Sequence, residues 1–428
     1  MNNPLPRVLG PVGATLFVIT YTIGTAIFLV PGVVAAHSGS MLMSLILWIA
    51  GGLMTLCGAL CYAELAVRLP QSGGEYRYMF SAFGPRLAFI FAWTTLLTAP
   101  VGISAVARGF ADYLAAIWPM DEWMRRTAGA VAIAAFAFIS IVSTRAATRV
   151  AGIAAIGKLL ALLTIAVIGI LVTSSTAPDA VAPPSGLGLA QLATAMVAVI
   201  WAFDGSIAIV YVAGEVREPG RTLPISLLAG LGIITLAYVL MNLVYFHALG
   251  FDGVAASDAV AAATLHAVIG PAGAVVVAAM VMASALGTVA ASLVGNPRYF
   301  LGPAQDGLFP AKLAAISPRT LTPINAILLT AAIAIGLVTI GGYEFLLRLY
   351  VLSFYPLVVV ALFGAVRLRR RDGKPRDFSM PLYPLPLLVY GASIIGICVA
   401  SAFDDPSSAA LGLLVPLAGA VVYSLKFR

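Results

Sequence analysis

Two short stretches combine ionisable or polar side chains with residues that interrupt helices, inside sequence that is otherwise apolar. The first reads Tyr21-Thr22-Ile23-Gly24-Thr25-Ala26-Ile27-Phe28, followed by Pro31 and Gly32; the second reads Trp201-Ala202-Phe203-Asp204-Gly205-Ser206. A helix interrupted there leaves N–H and C=O groups without intrahelical partners, and in a nonpolar solvent these survive only when buried in protein or lining a cavity. Free amides at Thr25 and Ala26, at the positive end of a following helical segment, suit a carboxylate. Free carbonyls at Thr22, Ile23, Trp201, Ala202 and Asp204 suit an ammonium group. A small zwitterion, an α-amino acid, meets both sets at once. Gly24 alone reads better as a close helix–helix contact; the second break, at Asp204-Gly205, turns the balance to a binding site. Trp201, beside that break, is placed to act as an aromatic gate.

Lys158, in Gly157-Lys158-Leu159, lies deep in an apolar run that begins after Arg149. A charge at that depth costs about 2.5–3.5 kcal/mol on insertion scales and usually faces a cavity. Its ammonium fits the place of a bound sodium ion, donating to backbone oxygen at Thr20 or Ile23 and to the hydroxyls of Ser284 or Thr288. It could instead give up a proton during a transport cycle, or be a fixed structural cation. The Asp204 side chain is expected to hold the interrupted segment, its backbone carbonyl to meet a substrate amine. Glu64, Arg108 and Asp112 sit near expected helix ends and read as interfacial or packing charges. His37, His247 and His266 are not spaced for a metal, Cys57, Cys61 and Cys398 lie inside apolar runs, and no phosphate-binding G-x-x-x-x-G-K-[ST] loop occurs. No cofactor, metal, enzymatic chemistry or ATP hydrolysis is therefore expected.

The elements that must position these residues are membrane helices. The chain has 428 residues, 61% hydrophobic and 10% charged, against about 25% charged in soluble domains. Apolar runs of about 20 residues, long enough to cross a bilayer, recur near 11–36, 42–67, 86–117, 127–144, 149–173, 190–214, 223–249, 271–296, 322–341, 344–366, 382–402 and 408–425. The expected fold class is an all-α polytopic membrane protein of about twelve transmembrane helices. Of the 24 Lys and Arg residues, all but Arg125, Arg126 and the intramembrane Arg108, Lys158 and Arg348 fall on one set of alternate loops. The positive-inside rule puts that side, and both termini, in the cytoplasm. The net charge of +7 then needs no nucleic acid, and the basic run Arg367 to Arg376 reads as a loop near anionic lipid. Met1 to Gly10 lacks the features of a cleavable signal peptide. The gaps near 68–85 and 297–321 are too short for a core of their own, so one transmembrane domain, 1–428, is expected. Breaks in the first and sixth spans point to two inverted five-helix halves, about 10–173 and 189–367, followed by two further helices, about 381–426.

These residues resemble the amino acid-polyamine-organocation (APC) superfamily, nearest to bacterial relatives of the L-type amino acid transporters. The resemblance rests on Gly24-Thr25-Ala26-Ile27-Phe28; on Tyr62-Ala63-Glu64-Leu65 through Pro70-Gln71-Ser72-Gly73-Gly74-Glu75-Tyr76; on Trp201-Ala202-Phe203-Asp204-Gly205 with Gly214-Glu215-Val216-Arg217-Glu218-Pro219; and on Asn296-Pro297-Arg298 through Asp306-Gly307-Leu308-Phe309-Pro310 with Thr322-Pro323-Ile324-Asn325. It implies a LeuT-like fold with unwound helices 1 and 6, a first-span motif that binds the amino acid carboxylate, sixth-span carbonyls that bind its amine, and Trp201 as gate. Lys158 falls where sodium-independent members place a lysine at the former cation site. Three positions depart from the family pattern: Ala26 stands for the usual Gly, Gln305-Asp306 for a charged pair, and Ala290 for an Asn of some L-type relatives. The outer loops Leu114 to Arg126 and Thr173 to Leu187 hold no cysteine, so no obligate partner subunit is expected.

The resulting expectation is a sodium-independent secondary transporter of the bacterial inner (plasma) membrane. It would move small neutral L-amino acids by alternating access, as an exchanger or with a proton as co-substrate. Small residues Thr25, Ala26, Ser206, Ser284 and Ala285 favour a small substrate. The alternatives are a polyamine or organic-cation transporter, which would want more acids in the pocket, and an amino acid receptor that does not transport.

Overall fold

Prolines and short polar residues mark where the helices begin. Pro11, Pro85, Pro219 and Pro271 occupy first-turn positions, where a missing N–H costs nothing. Ser40 and Asp121 cap two further helices by accepting from the amides of Met43 at 3.2 Å and Met124 at 2.7 Å. In the computed structural model, which describes residues 7–71, 73–172, 188–257, 259–340, 343–375, 377–404 and 406–427, the α-helices run as follows. They are α1 (Pro11–Thr22), α2 (Ala26–Ser38), α3 (Met41–Arg68), α4 (Glu75–Phe83), α5 (Pro85–Ile117), α6 (Glu122–Val142), α7 (Thr144–Val172) and α8 (Leu189–Ala202). There follow α9 (Pro219–Ala255), α10 (Val260–Ile269), α11 (Pro271–Gly295), α12 (Leu301–Gln305), α13 (Ile324–Ile340), α14 (Tyr343–Asp372), α15 (Leu385–Asp404) and α16 (Pro406–Lys426). Three 3-10 helices join them, at Ala208–Glu215, Asn296–Phe300 and Ala311–Ala314. Ser72, Arg376 and the loop Thr173 to Leu187, all used in the sequence argument, lie outside the described residues.

The chain is an all-α membrane protein. Among the described residues nine helices are long and apolar enough to cross a membrane, and α1 with α2 forms a tenth span bent by 52°. The shorter apolar α13, and α8 running into the 3-10 helix Ala208–Glu215, stand where the two remaining expected spans fall, but neither is long enough by itself to count among the nine. Several helices outrun the expected apolar limits: α6 starts at Glu122, and α9 extends from Pro219 to Ala255.

The first span sits inside the bundle. Its first half, α1, packs on α7, α9 and α11, while α2 packs on α8 and α9; Phe17, Val18, Ile27 and Phe28 are buried there. Large apolar side chains such as Leu53, Phe138, Ile153, Leu236 and Phe363 face outward, as a lipid-facing perimeter requires. α15 and α16 pack at the edge, against α3, α14 and α5.

Candidate functional site

Both breaks exist, and they touch. α1 ends with Ile23 in an extended conformation (φ −73°, ψ 92°), and α2 restarts at Ala26. The amides of Gly24, Thr25 and Ala26 have no acceptor among the described residues, as the first turn of a helix leaves them. α8 ends at Ala202, and Asp204 and Ser206 follow in turns that donate back to Trp201 O (3.0 Å) and Phe203 O (3.3 Å). Gly205 has φ +86°, and a Cβ there would lie 2.8 Å from Tyr21 Cδ1 and 3.0 Å from Tyr21 O. Glycine is what allows the second break to lie flush on the first.

A cavity of about 80 Å³ opens between them. Thr22, Gly24, Thr25, Ala26, Trp201, Asp204 and Gly205 line it, as the sequence placed them. The remaining wall was not singled out from sequence. Thr95, Thr98, Ala99 and Gly102 of α5 form one side, Ser292, Asn296 and Tyr299 another, and Tyr350 and Phe354 of α14 a third. Asn296 accepts from the Tyr21 hydroxyl and donates to Ala99 O at 2.8 Å, which ties the first break to α5. The Trp201 ring meets Tyr350 edge-on at 5.6 Å, and Asp204 Oδ1 accepts from the hydroxyls of Tyr350 (3.4 Å) and Tyr355 (3.5 Å).

Several expectations are corrected. The Ile23 and Ala202 carbonyls are not free: Ile23 O already accepts from Lys158, Ser284 and Thr288, and Ala202 O accepts from the Tyr238 hydroxyl at 2.9 Å. Neither residue lines the cavity. The Trp201 carbonyl is taken by the Asp204 amide. Ser206, Ser284 and Ala285 face neighbouring helices rather than this cavity, so of the five small residues only Thr25 and Ala26 shape it. Ala290 is fully buried away from it.

Lys158 stands behind the first break. It is 3% exposed, and its ammonium donates to Thr20 O at 2.8 Å, to Ile23 O, and to Thr288 Oγ1 at 2.7 Å. Ser284 Oγ completes the arrangement by donating to Gly24 O at 3.0 Å. The carbonyls released where α1 ends are thus gathered on one cation, and α7, α11 and the first break are held together by it. Thr20, Ile23, Ser284 and Thr288 are all engaged in this cluster, Ser284 through Gly24 rather than through Lys158.

Below the breaks, ion pairs tie the elements together at the Arg-rich end. Arg298 and Glu215 are buried and joined at 2.6 Å. Arg77 of α4 reaches Asp306 at 2.8 Å and Gln305 at 2.7 Å, and Tyr76 donates to Asp306 at 2.7 Å. The Gln305-Asp306 departure therefore still supplies two acceptors for one arginine. Glu64 is buried too, bound by Arg369 (2.7 Å) and the Met380 amide (2.7 Å), and lies 3.6 Å from Arg68. At the opposite end, where α5 gives way to α6, Arg108 forms a fork on Glu122 and a 3.0 Å pair with Asp112.

Known proteins match the chain over nearly its whole length. The amino acid permease family model matches residues 9–423. The chain is 28% identical over 431 residues to the serine/threonine exchanger SteT of Bacillus subtilis, covering 99% of this chain and 97% of SteT. It is 30% identical over 438 residues to the large neutral amino acids transporter small subunit 2 of Oryctolagus cuniculus (98% of this chain, 80% of the relative). The Asc-type amino acid transporter 1 of Mus musculus is 28% identical over 434 residues (98% and 81%).

Proposed function

The chain belongs to the amino acid permease family, and from that premise we propose that it exchanges small neutral L-amino acids across the membrane without sodium. The observation that carries this reading is the pair of facing breaks around one cavity. On one wall the amides of Gly24, Thr25 and Ala26 are the donors for a carboxylate, helped by the dipole of α2. On the other, Asp204 and the remaining free carbonyl of Thr22 are the acceptors for an ammonium. Trp201 closes over the bound molecule. Ile103, Val106, Trp201 and Phe354 line a cavity of about 80 Å³, a volume that supports a small substrate.

Independence from sodium is supported by Lys158. Its ammonium uses the oxygens of Thr20, Ile23 and Thr288 that a monovalent cation would otherwise need. Alternating access would rock the spans containing the two breaks, with α3 and α9, against the remainder. Both termini and the Arg-rich loops would face the cytoplasm, with two inverted repeats, about 10–173 and 189–367, each supplying some of the moving spans and some of the fixed ones. No partner subunit is needed in this reading.

The test is reconstitution of the purified protein in liposomes with a panel of labelled amino acids. Uptake should require amino acid inside, favour serine, threonine and alanine, and persist when sodium is replaced by choline. Uptake of polyamines alone, or binding without flux, would replace this reading with an organic-cation carrier or a receptor.

A further inference from the structure

Among the described residues, Glu75 is a completely buried carboxyl group with no ion-pair partner, its nearest polar company being its own backbone and the Tyr62 hydroxyl. The other buried acids are answered, Glu64 by Arg369, Glu215 by Arg298 and Asp306 by Arg77. What surrounds Glu75 is a ring of tyrosines: Tyr62 from α3, Tyr78 from α4 itself, and Tyr211 and Tyr299 from the 3-10 helices Ala208–Glu215 and Asn296–Phe300. The Tyr78 hydroxyl lacks a partner. The charged neighbours point elsewhere. Arg77 is spent on Asp306 and Gln305, and Arg367 and Arg371 of α14 reach Phe83 and Ser81 at the far end of α4. Asp204, Tyr21 and Tyr390 add only longer-range fields that oppose ionisation. An isolated carboxylate is expensive in such a place, and the group neutralises instead. Burial pushes the Glu75 carboxyl up to about 8.

The position of Glu75 gives this a consequence. It opens α4, immediately after Gly73 (φ +113°) and Gly74 (φ +48°). A Cβ on Gly74 would lie 2.8 Å from Tyr211 Cδ1, and the Gly73 amide donates to Tyr211 O at 3.2 Å. The start of α4 is therefore sealed against the segment that follows the second break, and separating the two would admit water to Glu75. We propose that Glu75 is a proton-binding site that couples pH on the Arg-rich face to this seal: neutral while sealed, ionised once open. On opening, the carboxyl O–H bond breaks and the proton passes to water; resealing takes a proton back.

The proposal rests on the exchange reading above for its transport consequence, but not for the site itself. The sealed form binds a proton that the open form has released at every pH between the ordinary carboxyl value of 4.5 and about 8. Across that window, raising the pH favours opening, by at most about tenfold per pH unit. The full-length protein in detergent and in liposomes tests this at pH 6 to 9, wild type against Glu75→Gln, which fixes the neutral form. Wild-type melting temperature should fall relative to E75Q between pH 6 and 8 and then run parallel, and serine exchange should rise with pH in wild type alone. Equal pH profiles for the two proteins would overturn the proposal. If neither takes up any amino acid, the exchange reading fails, while the melting comparison still decides on Glu75. If E75Q does not fold, Tyr62→Phe replaces it: removing the hydroxyl that favours the ionised Glu75 carboxyl should move the wild-type midpoint to higher pH, and an unmoved midpoint would overturn the proposal.

Discussion

Lys158 and Gly205 do the positioning at the two breaks by opposite means, one by adding a charge and the other by lacking a side chain. The lysine gathers the oxygens of Thr20, Ile23 and Thr288. Lys158→Ala strands these groups, and each buried polar group left unpaired costs about 1–3 kcal/mol. Exchange in that variant should drop below detection in sodium-free medium, and partial recovery on adding sodium would identify the place as a cation site. Full retained exchange would assign Lys158 to packing alone. At Gly205 the constraint is steric. With φ +86°, and Tyr21 Cδ1 only 2.8 Å from where a Cβ would stand, Gly205→Ala should lower the melting temperature through about 1–3 kcal/mol of strain and slow exchange. An unchanged rate and melting temperature would mean that the two breaks are not in register.

At the scale of elements, the segment after the second break is fixed by a buried ion pair. Arg298 and Glu215 are 1% and 5% exposed at their side chains and 2.6 Å apart. Removing one partner leaves the other charged and buried, which typically costs about 3–5 kcal/mol. Glu215→Gln should therefore reduce the melting temperature far more than Glu122→Gln, whose carboxylate is half exposed; equal losses would contradict the assignment. The spans themselves were legible because lipid demands about 20 apolar residues per helix, and the breaks because Gly24 and Asp204-Gly205 interrupt that pattern. The amphipathic α4 was not, since its length and polarity mark no span. Nor was the aromatic and hydroxylic wall from Thr95 to Phe354: along one helix, Tyr299, Tyr350 and Phe354 look like ordinary core. Ser206, Ser284 and Ala285 misled for the complementary reason, since small residues in membrane helices serve close packing as readily as a pocket. The contacts of Lys158 were legible because an intramembrane charge must find oxygen, and the nearest free carbonyls are those at the break.

For the whole molecule, the uneven distribution of Lys and Arg predicts the orientation, and a reporter fused after Arg428 should be accessible from the cytoplasmic side only; access from outside would invert the account of which end Glu75 senses. In the proposed exchange the molecule would open to both sides in turn, with the cavity between the breaks as the shared station. In that reading, closure at the Arg-rich end would rest on Arg77 with Asp306, Arg298 with Glu215, and the α4 contact with Tyr211. The most direct measurement of the central claim is counterflow. Liposomes holding the purified protein and unlabelled serine are placed in sodium-free medium with trace labelled serine, beside liposomes loaded with no amino acid. The account predicts accumulation of label in the serine-loaded vesicles, little in the empty ones, and loss of that difference in Lys158→Ala. Equal label in both sets, or accumulation that appears only with sodium, would contradict it.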